Sequence, residues 1–367
     1  MTDGLTWPLS VPVLTDGGVT LRAHTPQDVD AMLEMARDPE MVRWTSVPEQ
    51  QTREMTEEFA LTVIPKGWDA GTNRCWAIEA DGRFVGNVDV RGMPIADIGF
   101  ALHPTARGRG LMVRAVRLAT DWTFTHGGVE IVHWRAHVGN AASLRVAHRT
   151  GFTLHGTTPG MLHERGRVID AWTASRRFGD APLPRVPWVE SPVLESDRVR
   201  LRPLREDDVP AIVEACSEAA AQHWLHDLPS PYREEDARHY LTVCDWRAAK
   251  GDQASWAIAD PATDALLGHI VLMGLKDGHT GVVGYWTHPG ARGRGTAKEA
   301  VRLVVAHAFA PDGLDLPRLK LQAAAGNVAS NAIAVAAGFR LYGTETAAEP
   351  LGDGTVDDLN GYEILRA

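Results

Sequence analysis

One motif occurs twice in the sequence, and this repetition limits the possible folds more than any other feature. "HPTARGRG" at 103–110 returns as "HPGARGRG" at 288–295, identical at seven of eight positions and offset by 185 residues. Three longer segments recur in the same order at offsets of 180, 180 and 187, namely 19–32 with 199–212, 75–90 with 255–272, and 139–152 with 326–339. Short loop insertions between matched elements produce such a drift. The chain is therefore predicted to contain one fold of about 180 residues twice.

The stretch between the two copies has the composition of a linker. Residues 178–192, "FGDAPLPRVPWVESP", contain four prolines, which favour an extended connection. We expect an N-terminal domain at 1–180, a proline-rich linker at 181–192 and a C-terminal domain at 193–367. A chain of 367 residues with 44% apolar residues is long enough to bury two cores.

Charge and cysteine content exclude several classes of protein. The 37 basic and 47 acidic residues give a net charge of −10, which argues against a general nucleic-acid binder. Cys75, Cys216 and Cys244 stand far apart and in no ligand spacing, so neither a disulfide framework nor a zinc site is predicted. Residues 1–14 lack the regions of a signal peptide, and no apolar run approaches the roughly 20 residues of a membrane span. We expect a soluble, cytoplasmic protein without nucleic-acid or membrane partners.

Each copy is predicted to lead from a strand into a glycine-rich turn and then a helix. The segment 97–104, "DIGFALHP", has the composition of a strand that ends at Pro104. Apolar or small residues follow the turn at helical spacing in both copies, at Leu111, Ala115, Leu118, Ala119 and Trp122, and at Thr296, Ala300, Leu303, Val304 and His307. The full order in each copy is strand, helices, strands, turn, helix, strand, helix, strand. It predicts an α/β domain with one strand after its last helix.

The glycine and arginine turn has the chemistry of an anion site. Gly108 and Gly110 let the backbone approach a ligand closely, and the free N–H groups at a helix start attract negative charge. Arg107 and Arg109 add cationic donors suited to a pyrophosphate or a sugar phosphate. The alternative is a flexible turn with solvated arginines. The sequence lacks both the Gly-Lys-Ser/Thr of a P-loop and the G-x-G-x-x-G of a dinucleotide fold at the expected place.

Two motifs together give the chain a family resemblance. Residues 292–297, "RGRGTA", match the pattern Arg/Gln-x-x-Gly-x-Gly/Ala, and residues 107–112, "RGRGLM", match it until Met112. An Asn-x-x-Ser motif followed by Gly-Phe also occurs in each copy, as Asn140, Ser143, Gly151 and Phe152, and as Asn327, Ser330, Gly338 and Phe339. On these residues the chain resembles the GNAT superfamily of acyl-CoA-dependent N-acyltransferases, and within it the RimJ/RimL-like ribosomal-protein alanine N-acetyltransferases. The likeness covers nearly the whole chain, twice.

The resemblance implies a fold class and a co-substrate. The fold would be α/β (α+β), with two tandem GNAT-like domains, each a mixed, twisted sheet flanked by helices. Two central parallel strands would splay apart in each sheet, 97–103 from 132–138 and 282–288 from 318–324. The pantetheine of acetyl-CoA would lie in the splay and its diphosphate on the turn, while an amine would enter from the opposite side. No metal is implied.

The resemblance also implies site residues, carried over position by position. Cofactor-binding residues would be Leu102, Arg107, Gly108, Arg109, Gly110, Leu111, Met112, Asn140 and Ser143 in the first copy, and Thr287, Arg292, Gly293, Arg294, Gly295, Thr296, Ala297, Asn327 and Ser330 in the second. Ser143 and Ser330 would donate the proton to coenzyme A. The family's more usual tyrosine is replaced by Ala147 and Ala334, which favours the serines for this role. The alternative for Ser143 is that it serves as a helix N-cap.

Asp97 and Asp89 are the candidates for the base that takes a proton from the amine. A carboxylate in a cleft can have its pKa raised by desolvation until it serves as a general base. The alternative is that both are solvated strand residues. The second copy has Val282 and Val271 at the aligned positions, so the first copy is the better candidate for catalysis.

Two histidines, two tryptophans and one short segment are further candidates. The symmetry of His103 and His288, each before a proline, favours a structural role over proton transfer. Trp44, Trp68 and the segment 163–167 are expected to line the acceptor side.

We therefore expect an N-acetyltransferase that moves an acetyl group from acetyl-CoA to a primary amine. The acceptor would be a protein or peptide N-terminus, an aminoglycoside-like amine, a polyamine or an amino acid derivative. Two alternatives remain open. One is an active domain joined to an acyl-CoA-binding pseudo-domain, and the other is a non-catalytic acyl-CoA sensor. The duplication makes the chain an intramolecular pseudo-dimer and allows homo-oligomers.

Overall fold

The computed structural model describes residues 10–366. The expectation that no signal peptide is present rests on residues 1–14, of which the first nine lie outside the described part. The chain divides into two compact units, Met1–Arg185 and Val186–Ala367. Each unit is described by itself.

The first unit contains eight strands and six α-helices within residues 10–185. Its strands are β1 (Leu14–Thr15), β2 (Thr20–Arg22), β3 (Asn73–Ala80), β4 (Arg83–Arg91), β5 (Ile95–Leu102), β6 (Ile131–His137), β7 (Thr153–Glu164) and β8 (Arg167–Arg177). Its α-helices are α1 (Val29–Ala36), α2 (Pro39–Trp44), α3 (Arg53–Glu58), α4 (Ile64–Asp69), α5 (Leu111–His126) and α6 (Ala141–Arg149). A π-helical segment, Phe59–Val63, joins α3 to α4.

The second unit repeats this order with one helix fewer among its described residues. Its strands are β9 (Leu194–Glu195), β10 (Arg200–Arg202), β11 (Gln253–Ala259), β12 (Leu266–Met273), β13 (Thr280–Thr287), β14 (Arg318–Ala324), β15 (Arg340–Pro350) and β16 (Val356–Leu365). Its α-helices are α7 (Val209–Ser217), α8 (Ala219–Trp224), α9 (Glu234–Ala249), α10 (Thr296–Phe309) and α11 (Val328–Ala336).

Each unit forms one mixed sheet of eight strands. The strand order is β1-β2-β3-β4-β5-β6-β8-β7 in the first unit and β9-β10-β11-β12-β13-β14-β16-β15 in the second. The pairs β5–β6 and β13–β14 are parallel, and the other neighbours are antiparallel. The predicted fold class is confirmed. The sequence pattern predicted one strand after the last helix of each copy, whereas the structure has a hairpin whose second strand lies inside the sheet.

Helices cover both faces of each sheet. On one face of the first sheet, here called the α1 face, Met32 and Ala60 pack against Ala77. The opposite α5 face carries Trp134, which is 1% exposed. In the second unit, Ile212 packs against Ala257 on the α7 face. Val304 packs against Val283 on the opposite α10 face.

The parallel strands separate halfway along their length, as predicted. The pairing of β5 with β6 ends at Ile98 and Trp134, although β5 continues to Leu102 and β6 to His137. In the second unit, pairing ends at Val283 and Leu321. Each sheet therefore has a wedge-shaped opening, here called the gap, bordered by residues 99–102 and 135–137 in the first unit and by residues 284–287 and 322–324 in the second.

The two sheets also share their strand register. Asp89 of β4 lies opposite Gly99 of β5, and Val271 of β12 lies opposite Gly284 of β13. The offset between matching residues of the two units changes only in loops. The loops β11–β12, β12–β13 and α10–β14 are longer than their counterparts β3–β4, β4–β5 and α5–β6. This confirms that loop insertions account for the drift of the repeat.

Candidate active site

The glycine-rich turn connects the end of the gap to the longest helix of the first unit. Gly108 and Gly110 have φ values of +76° and +75°, and Gly293 and Gly295 have +73° and +77°. L-residues with a side chain rarely adopt this left-handed conformation, so glycine is required. Gly110 is the N-cap of α5 and makes no side-chain cap. The first N–H groups of the helix are consequently open to an anion.

The residues that start the two helices face the core, not the turn. Leu111 and Met112 are each 5% exposed, Thr296 is 7% exposed and Ala297 is 5% exposed. Their side chains are thus packed inside the protein, and only their backbone N–H groups are placed for a ligand. The departure from the family pattern at Met112 therefore concerns core packing.

The first arginine of each turn is tied to the short helix α2 or α8. Arg107 forms an ion pair with Asp38, and Arg292 lies 2.7 Å from Glu218. Each carboxylate also accepts a backbone N–H as a helix N-cap, Asp38 from Met41 at 3.1 Å and Glu218 from Ala221 at 3.3 Å. Both turns are therefore linked to the helix on the other sheet face by the same kind of contact.

The second arginine of each turn differs between the units. Arg109 contacts Asp81 at 2.7 Å, and both side chains are largely exposed. Arg294 makes no ion pair with any residue of the described range 10–366. Its charge is thus available to an anion on the second turn.

Backbone groups in the splayed part of each sheet point into the gap. His103 N donates to Val85 O at 2.9 Å, so the polar groups of residue 103 face β4. Because alternate residues of a strand direct their N–H and C=O groups to opposite sides, those of Phe100 and Leu102 face the gap. His288 N donates to Leu267 O at 2.9 Å, which directs the groups of Tyr285 and Thr287 into the second gap. Such groups suit the amides of a pantetheine chain, and one of them, the Leu102 carbonyl, accepts a long hydrogen bond from Arg107 at 3.4 Å.

Ser143 lies at the start of α6, beside the first gap. Asn140 is the N-cap of α6, and its Oδ1 accepts the N–H of Ser143 at 3.0 Å. Trp134 Nε1 donates to Ser143 Oγ at 3.0 Å. Ser143 is thus not the cap residue itself, and its hydroxyl is held by an indole that can only donate.

Ser330 has a different partner in the second unit. Asn327 again caps the helix, accepting the N–H of Ser330 at 3.1 Å. The phenol oxygen of Tyr285 lies 2.9 Å from Ser330 Oγ. Burial raises the pKa of Tyr285, and the hydrogen bond with Ser330 acts in the opposite direction.

The structure separates the two aspartates. A Cβ on Gly99 would lie 2.7 Å from Asp89 Oδ1, so the Asp89 carboxylate lies over the first residue of the gap. Arg91 Nε is 3.0 Å from Asp89 Oδ2, but no hydrogen bond reaches that buried oxygen within the described chain. Burial raises the pKa of Asp89, and the Arg91 charge opposes the shift. Asp97 stands beside the paired part of the strands, 38% exposed and 2.8 Å from Arg135.

The corresponding place in the second unit is apolar. A Cβ on Gly284 would lie 3.2 Å from Val271 and 3.3 Å from Met273. The neighbouring His269 is 1% exposed, and burial lowers its pKa to about 3. It is stacked on Trp286, with 6.0 Å between ring centroids. No carboxylate occupies the place of Asp89.

Residues from three elements meet at the open end of the first gap, on the α1 face. His137 Nε2 lies 2.9 Å from Glu164 Oε2, with both side chains mostly buried. The Trp44 ring meets the His137 ring edge-on, with 6.0 Å between centroids. Arg165 donates to the carbonyls of Val42, Thr45 and Val47 at 2.5 to 2.8 Å. The β7–β8 hairpin is therefore fastened to α2 beside the gap.

Trp68 is not part of this group. It is 4% exposed and packs edge-on against Trp76 with 4.9 Å between ring centroids.

His103 and His288 each accept a backbone N–H, from Thr105 and Gly290 respectively, at the start of the short 3-10 turn before the glycines. This symmetric contact agrees with the structural role expected of them.

Several residues of the site escaped the sequence-based interpretation. Trp134, Tyr285, His137 and Asp38 lie outside the family motifs. Strand alternation offers one usable signal, because it directs Trp134 and Tyr285 to the face that carries the serines. No sequence signal predicts the contact between His137 and Glu164, since β6 and β7 are not neighbours in the sheet.

Residues 10–366 contain no helix that is long and apolar enough to cross a membrane. They also contain no group of three or more His, Cys, Asp or Glu side chains suited to a metal ion.

The sequence matches the family model described as Acetyltransferase (GNAT) domain twice, at residues 19–153 and 198–340. These two matches cover most of both units and contain both glycine-rich turns and both Asn-x-x-Ser motifs. No curated protein sequence matches the chain significantly.

Similar solved structures each cover about half of the chain. A GNAT-family acetyltransferase from Bacillus anthracis is 22% identical, with a TM-score of 0.42, and the match covers 48% of this chain and 99% of that one. RimL, a ribosomal L7/L12 alpha-N-protein acetyltransferase in complex with coenzyme A, is 24% identical, with a TM-score of 0.43 and coverages of 47% and 98%. Mycobacterium smegmatis RimJ in complex with CoA-disulfide is 21% identical, with a TM-score of 0.42 and coverages of 47% and 88%.

Proposed function

The chain belongs to the GNAT acetyltransferase family through both of its units, and from this premise we propose that its first unit transfers the acetyl group of acetyl-CoA to a primary amine. One observation carries the proposal. The first gap has a carboxylate with a raised pKa, Asp89, on the α1 face and an oriented hydroxyl, Ser143, beside the opposite face. A proton acceptor and a proton donor thus flank the place where a thioester would lie.

The residues of each unit fit acetyl-CoA. The diphosphate would bind the N–H groups that follow Gly110, where the positive end of the α5 dipole stabilises negative charge. The left-handed glycines leave open space above the turn, since a Cβ on Gly108 or Gly110 would meet no atom within 4 Å. The pantetheine amides would pair with the backbone groups of Phe100 and Leu102 that face the gap. The buried side chains of Leu111 and Met112 would contribute only their N–H groups.

The chain's own groups would then handle two protons. Asp89 would accept a proton from the incoming ammonium, because burial raises its pKa toward the range in which a carboxylate works as a base. Ser143 would donate its proton to the departing thiolate of coenzyme A. Trp134 fixes this direction, since its N–H already occupies one lone pair of Ser143 Oγ. The amine nitrogen and the acetyl carbon would be held in contact by the gap.

The acceptor would enter from the α1 face, past Trp44 and the pair formed by His137 and Glu164. A carboxylate beside an aromatic ring suits an alkylammonium group, through charge attraction and cation–π contact. We propose a primary alkyl amine, either a peptide N-terminus or a small molecule. His137 and Glu164 would orient its ammonium group toward Asp89.

The test is the steady-state release of free coenzyme A by the full chain, with a panel that contains an N-terminal peptide, a polyamine and an aminoglycoside. We expect release with at least one member and its loss in Gly110→Glu, because a glutamate there is strained and repels the diphosphate. Gly179→Glu is the matched control, since Gly179 has a φ of +87° and open space around it but lies outside the site. Binding of acetyl-CoA without release of coenzyme A for any amine would identify a sensor and refute the proposal.

A further inference from the structure

The second unit has a hydroxyl pair on one side of its gap, and on the other side none of its described residues places a carboxylate over Gly284. Tyr285 and Ser330 are joined by a 2.9 Å hydrogen bond, whereas the first unit has Phe100 at the position of the tyrosine. Val271 stands where the first unit has Asp89. The two units therefore differ at both ends of the proton path.

Tyr285 lies in the splayed part of its strand. It comes two residues after Val283, the last residue of β13 that pairs with β14. Its side chain is partly buried on the α10 face, beside Ser330 in the first turn of α11. The family's helical tyrosine position is Ala334, which is 0% exposed and carries no hydroxyl. The hydroxyl beside Ser330 therefore comes from Tyr285 on strand β13, and not from the helix that carries the tyrosine in the family pattern.

Among the described residues, no carboxylate lies over Gly284 on the α7 face of the second gap. Val271 and Met273 cover Gly284, and His269 is buried and neutral at physiological pH. Lys320 lies beside Val282, in the paired part of the strands, and its ammonium is 5.8 Å from the Tyr342 ring.

Carboxylates do occur on the hairpin of this unit, beyond the end of β14. Glu349 pairs with Asp357 across β15 and β16, and Asp357 accepts the N–H of Gly326 at 2.7 Å. Burial raises the pKa of Glu349. Asp357 lies two residues beyond Leu359, the partner of the last residue of β14, on the hairpin that in the first unit brings Glu164 to His137. A Glu349 variant therefore tests below whether a hairpin carboxylate takes the proton.

An apolar wall selects against an ammonium group, because burying a charge without a partner is costly. It accepts a nucleophile that is already uncharged. We propose that the second unit is a second acetyl-transfer site, built for an acceptor that arrives as a neutral aromatic amine, in which Tyr285 positions Ser330 and replaces the proton that it gives away. This inference rests on the proposed function, extended from the first unit to the second.

The step balances without a protein base. The lone pair of the neutral amine forms the C–N bond, and the C–S bond breaks. The thiolate of coenzyme A takes the Ser330 proton, and Ser330 takes the Tyr285 proton. One proton leaves the nitrogen to water, and the tyrosinate regains one from water.

The experiment uses the full chain with the first unit silenced by Gly110→Glu and Asp89→Asn. Coenzyme A release is measured with an aromatic amine and with a primary alkyl amine. We expect turnover of the aromatic amine at neutral pH, and turnover of the alkyl amine only as the pH approaches the amine's own pKa. Adding Tyr285→Phe should lower kcat on the order of 10-fold or more, with unchanged acetyl-CoA affinity and a smaller solvent deuterium isotope effect on kcat. Tyr342→Phe, at a tyrosine that is 46% exposed in the same unit, is the matched control.

Each contrary outcome has its own meaning. A silenced chain that releases no coenzyme A from the aromatic amine, while the wild type acetylates the alkyl amine, refutes this inference and leaves the proposed function standing. If kcat and its isotope effect are unchanged in Tyr285→Phe, the phenol takes no part in proton transfer and contributes only to packing. Loss of second-unit turnover in Glu349→Gln would show that a hairpin carboxylate takes the proton and that the acceptor is charged. A wild type inactive with both amines refutes both proposals.

Discussion

Trp134 Nε1 donates a hydrogen bond to Ser143 Oγ over 3.0 Å. An indole nitrogen has no lone pair to accept with, so the serine's own proton must point to another acceptor. The tryptophan is 1% exposed and therefore fixed in place. Its position in the second unit is taken by Leu321, which offers no hydrogen bond from its side chain.

Trp134→Phe should lower kcat by about 2- to 10-fold, the range that corresponds to the net value of one hydrogen bond. The hydroxyl of Ser143 would no longer be oriented toward the thiolate. The measurement is kcat at saturating acetyl-CoA, with acetyl-CoA affinity as the control for loosened packing. An equal loss of affinity and kcat would indicate a packing defect only.

Ser143→Ala should lower kcat on the order of 100- to 10,000-fold, because a proton donor acts mainly in the transition state. The affinity for acetyl-CoA should change far less. Ser143→Thr, which keeps a hydroxyl, should recover part of the rate. A kcat for Ser143→Ala equal to that of the wild type would remove the serine from the mechanism.

The residues that were predicted from the sequence and those that were not differ in a physical way. Turn glycines and the Asn-x-x-Ser motif act through backbone geometry that is fixed within a few residues, so Gly110 and Asn140 could be assigned from local pattern. The partner of Ser143 depends on which face of a distant strand carries Trp134, and the local sequence of α6 does not encode it. The hairpin is harder still, because Glu164 on β7 contacts His137 on β6 across a third strand, β8.

The aspartates could not be ranked from the sequence. Asp89 and Asp97 both alternate onto the α1 face, and a strand pattern says nothing about where pairing between β5 and β6 ends. The structure distinguishes them because Asp89 lies over Gly99, one residue beyond the last paired Ile98, while Asp97 is held by Arg135.

Asp89→Asn should abolish most turnover and raise thermal stability at neutral pH. Burial raises the pKa of Asp89 in the folded chain above its unfolded value. At a pH below the unfolded pKa the carboxyl is protonated in both states and costs nothing. As the pH rises from the unfolded pKa to the folded pKa, the unfolded state ionises and the folded state stays protonated, so stability is lost over that interval. The wild-type rate should rise with pH over the same window.

Melting temperature and turnover, each followed against pH, check this prediction. Asp97→Asn is the comparison, because Asp97 is more exposed and already paired. A variant Asp89→Asn with the wild-type pH profile, or one that is less stable than the wild type at neutral pH, would contradict the assignment.

Calorimetric titration with acetyl-CoA should give about two sites per chain. Gly110→Glu and Gly295→Glu should each remove one site, and the double variant should bind none, because both turns have the same left-handed glycines. Gly354→Glu, with a φ of +82° and open space around it, controls for backbone strain in the second unit. A wild-type titration with a single site would show that one turn no longer binds the co-substrate.

Asp38→Ala should lower the free energy of unfolding by about 1 kcal/mol, the usual value of an N-cap, and raise KM for the amine. Asp38→Asn keeps a cap acceptor and loses only the pair with partly exposed Arg107, so its effect on stability should be about 0–1 kcal/mol. The loss of stability and the rise in KM have the same cause: Asp38 attaches α2 to the turn, and α2 ends at Trp44 on the acceptor side. Urea denaturation and the two KM values measure this, with Asp81→Asn as the control at exposed Arg109. A rise in KM confined to acetyl-CoA would mean that Arg107 serves the co-substrate instead.

The shared register of the two sheets gives the molecule an internal reference. Gly99 and Gly284 occupy the same place in two copies of one scaffold, so the exchange of Asp89 for Val271 is a change of side chain at constant backbone. Comparisons of this kind usually require two proteins, with differences in expression, concentration and folding between them. Here either copy can be inactivated by mutation within a single polypeptide. The effect of having Asp89 or Val271 at this place can then be measured on one chain, at the same concentration and in the same sample.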